Sequence, residues 1–265
     1  MNYVFWVGVK SKDSVIREKH GDFKYLDISE KFWRRWCKKH NVEFVPYTID
    51  NTTELDNNKH KVTWTRWFDI MDILPESLTG WRWIVDGSSL IINDPLPPWE
   101  VVDLDENKVH GFRSLENLRW IHEGIAGYTK KLFPDLKFDF GKYISCGNQV
   151  FTEKHYWFLK ELKKYYFENY DDIMSLQHGS VKRGTDQPVY NCLLQKYDNI
   201  HTADQIPPDY MITHINRFHW DGHNWQINDT TPFFIKYGKV LFFSGFVNRG
   251  DRYQLMEYVN QNYNV

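Results

Sequence analysis

Two acidic residues stand at positions from which a carboxylate can act on a ligand. Asp86 ends the apolar run that opens WRWIVDGSSLIIND, and a second apolar run, Leu90 to Ile92, begins four residues later. A carboxylate released at the end of a buried strand lies where open α/β sheets place their ligands. Gly87 and Ser88 follow it; a serine hydroxyl is a feeble metal ligand beside a carboxylate, although it can coordinate weakly or bond to a metal-bound water. Asp186, in Gly184-Thr185-Asp186-Gln187-Pro188, is predicted at a helix N-terminus, with Thr185 as cap and Pro188 in the first turn. Taken alone, an acid there is explained by the helix dipole, worth a few tenths to about 1 kcal/mol. His214, His219 and His223 fall in a His-x4-His-x3-His array among Trp220 and Trp225, which matches no recognised zinc spacing.

The elements that must position these residues alternate between strand and helix. Tyr3 to Val9 is β-branched and aromatic and is closed by Gly8 and a polar segment, as a first buried strand and its turn would be; in an α/β fold that turn commonly meets a nucleotide. Asp27 to His40 has an Asp-x-x-Glu start and apolar positions at Ile28, Phe32, Trp33, Trp36 and Cys37, predicting a capped amphipathic helix. Its other face carries Lys31, Arg34, Arg35 and Lys38, either a solvated face or a contact for an anionic acceptor. Val42 to Tyr47 reads as a second strand. Trp67, Ile70, Met71 and Leu74 recur at i, i+3, i+4 and i+7, placing a helix over Thr63 to Leu74. Arg66 borders that stripe, where it can lie over the core or reach a diphosphate.

Pro95, Pro97 and Pro98 end the Asp86 segment. Ser114 to Lys131 is predicted helical in two pieces interrupted by Gly124 and Gly127. Lys142 to Phe151 is an apolar strand with a small-residue centre, Ser145-Cys146-Gly147-Asn148, and a glycine inside a strand often marks close approach of a backbone or ligand. Thr152 then caps a helix with the stripe Phe158, Leu159, Leu162 and Tyr166. From Ile206 the chain becomes loop-rich, ending in a strand at Val240 to Phe246 and a helix at Arg252 to Tyr263.

At 265 residues the chain suits one domain or two closely joined halves. A net charge of −2 provides no global field for nucleic acid, so a phosphate-rich partner would need a local patch. Cys37, Cys146 and Cys192 are odd in number and lack a CxxC, which points to reduced, buried thiols. No stretch reaches the length of a membrane span and no signal core is evident, so a soluble, cytoplasmic protein is expected.

Taken in order, the first strand, the helix bearing Arg66, the strand ending in Asp86, the strand SCGNQVF, the Asp186-Gln187 helix start and the late His219-Trp220-Asp221-Gly222 resemble the GT-A class of nucleotide-sugar glycosyltransferases. The likeness is to the small retaining enzymes related to glycogenin and bacterial galactosyltransferases. It implies a single α/β domain with a mixed, mainly parallel sheet flanked by helices and a loop-rich C-terminal segment. Within that domain, 1–94 would be the nucleotide-binding half and 95–265 the sugar and acceptor half. It implies a UDP-sugar donor, transfer of a hexosyl or pentosyl group with retention, and a divalent ion, manganese or magnesium, on Asp86, Ser88 and His219, with His214 and His223 as reserves. Ser88 departs from the family, whose motif is Asp-x-Asp. Donor contacts would come from Gly8, Arg66, Asp86, Gly87, Ser88, Ser145, Cys146 and Gly147, and Asp186 and Gln187 would stand beside the reacting sugar; were the enzyme inverting, Asp186 or Asp221 would be the base. The acceptor would be a glycan, or a hydroxylated base in modified DNA of the T-even phage type. Ser88 also admits a non-catalytic sugar-binding or scaffold protein on a degenerate transferase fold.

Overall fold

The computed structural model describes residues 1–10, 14–19, 21–50, 62–113, 118–178, 186–197, 200–212, 233–243 and 249–262. In chain order these form β1 (Tyr3–Lys10), α1 (Ser14–Lys19), α2 (Lys24–Lys39), β2 (Glu43–Asp50), α3 (Val62–Ile73), β3 (Trp81–Asp86) and β4 (Ser89–Ile91). There follow α4 (Pro98–Val101), β5 (Val109–Arg113), α5 (Leu118–Leu132), β6 (Ile144–Thr152), α6 (Tyr156–Glu168), α7 (Tyr170–His178) and α8 (Gln187–Lys196). The last are β7 (His201–Thr202), α9 (Phe233–Tyr237), β8 (Val240–Phe242) and α10 (Arg249–Asn262). Among the described residues no helix is long and apolar enough to cross a membrane.

Six strands make one sheet in the order β2-β1-β3-β6-β5-β7. β1 runs parallel to β2 and β3, and β5 parallel to β7, whereas β6 is antiparallel to both neighbours. Both faces of the sheet are covered, so β1 is apolar from Tyr3 to Val9 rather than alternating. Val4 and Trp6 pack with α2 and α10 on one face, and Tyr3, Phe5 and Val7 with α3, α6 and α8 on the other. The crossover helices α2 and α3 therefore lie on opposite faces. The chain leaves the carboxyl ends of β1 and β2 in opposite directions, which opens a crevice there. The sheet is continuous across residue 94, since β3 pairs with β6 from Trp81↔Thr152 to Val85↔Asn148.

Tryptophan supplies much of the core. Trp33, Trp36 and Trp99 meet Trp83 edge-on, with ring centroids 5.0, 5.5 and 6.3 Å away. Their indole N–H groups are bonded where the chain needs fixing. Trp6 Nε1 donates to Ser29 Oγ (2.9 Å), Ser29 Oγ to the Ser89 carbonyl (2.7 Å), and Trp33 Nε1 to Ser89 Oγ (3.1 Å). Trp36 Nε1 donates to the Pro95 carbonyl at 2.8 Å, so the segment after Asp86 is stitched along α2.

At the other end of β3, Arg82 is fully buried. Its guanidinium donates to Tyr156 Oη (2.9 Å), Glu153 Oε2 (2.9 Å) and the carbonyls of Gly80 (2.7 Å) and Leu78. Tyr156 in turn donates to the Leu74 carbonyl. One cation thus ties the end of α3 and the 75–80 loop to α6.

Several boundaries differ from expectation. α2 starts at Lys24, so Asp27 lies inside its first turn and does not cap it; the preceding residue, Phe23, has left-handed φ 59°. α5 passes through Gly124 and Gly127 without a break, and Gly124 is buried. Thr152 makes no capping bond; its hydroxyl donates to the Glu106 carbonyl (2.9 Å). β5 and β7 had no sequence expectation. β4 pairs with β8 antiparallel, in a small second sheet against α2.

Replacing Arg82 by Met is expected to destabilise the protein by about 3–5 kcal/mol, because Glu153 and several carbonyls lose their donor together; denaturant unfolding measures it, and a loss below about 1 kcal/mol would contradict the role. A pH effect follows from His110 and His155, both buried, whose pKa values burial pushes below the usual 6.5. In the unfolded chain they take up protons as pH falls through about 6.5, while the folded chain takes them up only at lower pH. Stability is therefore expected to be flat above that pH and to decline below it, and the double variant His110→Gln/His155→Gln should show a shallower decline in unfolding midpoint between pH 7.5 and 5.5.

Candidate active site

The turn after β3 is built by close contacts. Gly87 N donates to the Val7 carbonyl at 2.7 Å, and a Cβ on Gly87 would lie 2.7 Å from Leu26 Cδ2 and 3.0 Å from that carbonyl. A Cβ on Gly8 would lie 2.7 Å from the Trp6 ring. Both glycines are needed for close packing of β1, β3 and α2. Ser88, 4% exposed, sends two donors to one oxygen of Asp86: its backbone N at 2.8 Å and its hydroxyl at 2.6 Å, both to Oδ1. Ser89 Oγ closes the turn on the Asp86 carbonyl (2.6 Å). The Asp86 side chain is thereby fixed while remaining 36% exposed.

Opposite Asp86 lies Arg66, from α3. Its side chain is 7% exposed; Nη1 is 4.0 Å from Asp86 Oδ2, and Nη2 donates to Asp186 Oδ2 at 2.6 Å. Asp186 is itself 4% exposed and precedes α8 as its N-cap, without a side-chain capping bond. Trp67 Nε1 donates to the same Asp186 oxygen at 2.7 Å. Burial alone would lower the pKa of Arg66, but the carboxylates of Asp186 and Asp86 oppose it, and the value stands above the ordinary one. Arg66 Nε is buried and has no hydrogen-bond partner among the described residues. An unpartnered donor on a buried cation calls for a further acceptor.

The third wall is β6. Its last pair with β3 is Val85↔Asn148, so Gly147, Cys146 and Ser145 run on past the end of β3 beside Asp86. Amides of α8 serve their backbone in place of a strand. Asn191 accepts from Ile144 N (2.8 Å) and donates to its carbonyl (2.9 Å), and Gln187 accepts from Cys146 N (3.2 Å) while donating to Tyr143 Oη (2.9 Å). The Cys146 thiol is buried and its pKa is raised well above the usual value, first by burial and then by Asp186, with Arg66 opposing. It is therefore a neutral thiol, not a nucleophile. A Cβ on Gly147 would lie 2.7 Å from the Phe242 ring, so packing of β8 on β6 accounts for that glycine.

No family model matches the sequence, and no curated protein matches it. Among solved structures the chain is similar to a glycosyltransferase involved in the glycosylation of the major capsid of PBCV-1, at TM-score 0.55 and 14% identity, over 97% of this chain and 100% of that one. The fold is that of a GT-A glycosyltransferase. Mouse xyloside xylosyltransferase 1 (TM-score 0.47, 8% identity, 92% of this chain and 97% of that one) was also found. So was a glycosyltransferase of Streptococcus pneumoniae (0.46, 11%, 99% and 64%).

Within this GT-A fold, the expected residues Arg66, Asp86, Ser88, Cys146, Asp186 and Gln187 gather at one crevice, with Ser145 on the same strand. Gly8, Gly87 and Gly147 sit at its edge with their Cα hydrogens turned into packing. His214, His219 and His223, with Asp221, lie outside the described residues. Among the described residues no three His, Cys, Asp or Glu side chains group as a metal cage. Asp86 keeps Oδ2 clear of Ser88, with Arg66 Nη1 4.0 Å from it, and among the described residues it is the one expected ligand that could take part in an ion shared with a substrate phosphate. Ions such as magnesium are commonly held by one or two carboxylates together with substrate phosphates. Trp67, Tyr190 and Asn191 were not singled out by sequence; Trp67 fell in the apolar helix stripe, which conceals the use of its N–H.

Replacing Arg66 by Met removes the guanidinium paired with buried Asp186 and should destabilise the protein by about 3–5 kcal/mol. Adding Asp186→Asn should recover part of that loss, and a double variant as unstable as the sum of the singles would show that the two are not a pair.

Proposed function

We propose that the chain is a glycosyltransferase that moves a hexosyl or pentosyl group from a nucleotide-diphosphate donor, a UDP-sugar, to an acceptor hydroxyl with retention. The reading rests above all on one observation: Arg66 stands between Asp86, at the carboxyl end of a central strand, and Asp186, at a helix start 120 residues away from it in sequence. Its support from comparison is the GT-A fold itself.

A departing nucleoside diphosphate gathers negative charge, and fixed cations near its oxygens lower the barrier. Arg66, whose Nε has no partner among the described residues, would supply such a cation. Asp86, fixed by Ser88, would hold a manganese or magnesium ion, with His219 as the expected further ligand. When bound, that ion would supply Lewis-acid stabilisation of the leaving group. Asp186 would orient the donor hydroxyls or stabilise the cation-like sugar carbon. Gln187, bonded to Cys146 N and Tyr143, holds the β6 wall in place for the sugar.

For the acceptor we favour a glycan. The PBCV-1 neighbour is described as acting in capsid glycosylation, and this chain would use a comparable class of acceptor. A hydroxylated base in modified DNA is the second reading, favoured by the exposed face of α2. There Arg34 lies over the Phe44 ring (4.7 Å) and Arg35 over Phe32 (5.2 Å), beside Lys31 and Lys38.

The experiment is incubation with a panel of nucleotide sugars, with manganese, magnesium or chelator, following release of nucleoside diphosphate. UDP-sugar turnover is expected, and Asp86→Ala should lower it about 100-fold or more without unfolding the protein. Neither turnover nor binding with any donor would remove the enzyme reading in favour of a sugar-binding scaffold. Mass analysis of glycans and DNA nucleosides identifies the acceptor, and steep salt dependence would point to DNA.

A further inference from the structure

Among the partners of Asp186 are two consecutive residues of one helix turn, and they differ in what else they can do. Arg66 Nη2 and Trp67 Nε1 both donate to Asp186 Oδ2, at 2.6 and 2.7 Å. Arg66 is shared: its other terminal nitrogen faces Asp86 and its Nε awaits an acceptor. A diphosphate arriving at the crevice competes with Asp186 for that guanidinium. Trp67 has no such alternative. Its indole is fully buried, with one N–H and no acceptor, and stacks on Tyr190 with centroids 4.6 Å apart and planes at 25°. Tyr190 Oη donates to Gln149 Oε1 (2.5 Å), and Gln149 Nε2 donates to the Ser145 carbonyl (2.9 Å). The ring is thus clamped between α3, α8 and the strand that forms the sugar-side wall.

We infer that Trp67 is the positioning residue of Asp186, keeping its carboxylate in place when Arg66 turns to the donor. This rests on the transferase reading given above. A bond from a neutral N–H to a carboxylate is strengthened by the charge yet leaves that charge on the oxygen atoms. A second cation in its place would neutralise the group. Trp67 therefore fixes the geometry without diminishing the electrostatic contribution that Asp186 would make beside a cation-like carbon.

The test separates the indole N–H from the bulk of the ring. Trp67→Phe removes the donor and keeps an aromatic face for Tyr190. Trp64→Phe is the control: Trp64 is also fully buried on α3, but its Nε1 has no partner among the described residues. With the best UDP-sugar, Trp67→Phe should lower kcat about tenfold or more, equivalent to one hydrogen bond at about 1.4 kcal/mol per tenfold, and change the donor KM less than about threefold. Trp64→Phe should lose comparable thermal stability and keep kcat within about twofold. In an Asp186→Asn background, Trp67→Phe should alter kcat less than about twofold, because the group it acts through is already changed.

An equal kcat loss in that background, or in Trp64→Phe, overturns the inference by assigning the effect to packing. The indole resonance, assigned by its absence in Trp67→Phe, gives a second reading free of turnover: it should move upfield in Asp186→Asn. An unmoved resonance overturns the contact itself. A wild-type chain that neither binds nor turns over any donor, while the resonance does move, removes the transferase reading and leaves the bond as purely structural.

Discussion

A charge buried in this protein must bring its partner with it, and Arg66 does so across 120 residues of sequence. The guanidinium lies in a nearly closed site on α3, where an unpaired cation would be far costlier than an exposed one. Asp186 answers it from the start of α8 and Asp86 from the end of β3. Their mutual requirement adds a polar constraint to the apolar core that α3, β3 and α8 already share. The crevice between them follows from that arrangement, and so does its charge pattern of two carboxylates around one cation.

Strand β3 is bounded by two buried polar centres of opposite purpose. At its start Arg82 is saturated by a carboxylate, a phenol and backbone carbonyls, leaving it no chemistry beyond holding α3, the following loop and α6 together. At its end Arg66 is under-satisfied, with a buried Nε that no described residue accepts from. The two arginines thus differ in how far the described residues satisfy them: Arg82 has its acceptors supplied by the fold, whereas Arg66 keeps a buried N–H that no described residue accepts.

The rigid setting of Asp86 owes much to side chains that sequence patterns classify as core or linker. The indoles of Trp6, Trp33 and Trp36 fill the layer beneath α2, and through Ser29, Ser89 and the Pro95 carbonyl their N–H groups hold the turn that carries the acid. Ser88 then restrains the carboxylate itself by two bonds to one oxygen. Ser88 thus supports the acid that precedes it, and the other oxygen of Asp86 faces Arg66.

The sequence by itself determined the buried strands, the helices at α2, α3, α6 and α8, and the carboxylates worth attention. Those features are local: β1 is apolar at successive positions because both its faces are covered, and α3 repeats Trp67, Ile70 and Leu74 at helical spacing because one face is buried. Tertiary structure decided what local patterns cannot encode. β5, with His110 and Gly111 at its centre, is a strand because β6 and β7 pair with it, and α5 runs through two glycines because packing outweighs their helix cost. Asp186, by sequence an acid at a helix start, is a partner of Arg66 and Trp67, and Gly147, by sequence a point of close approach inside a strand, is where Phe242 packs. A residue's spacing records which face it occupies, but its hydrogen-bond partner is chosen by the three-dimensional approach of segments far apart in the chain.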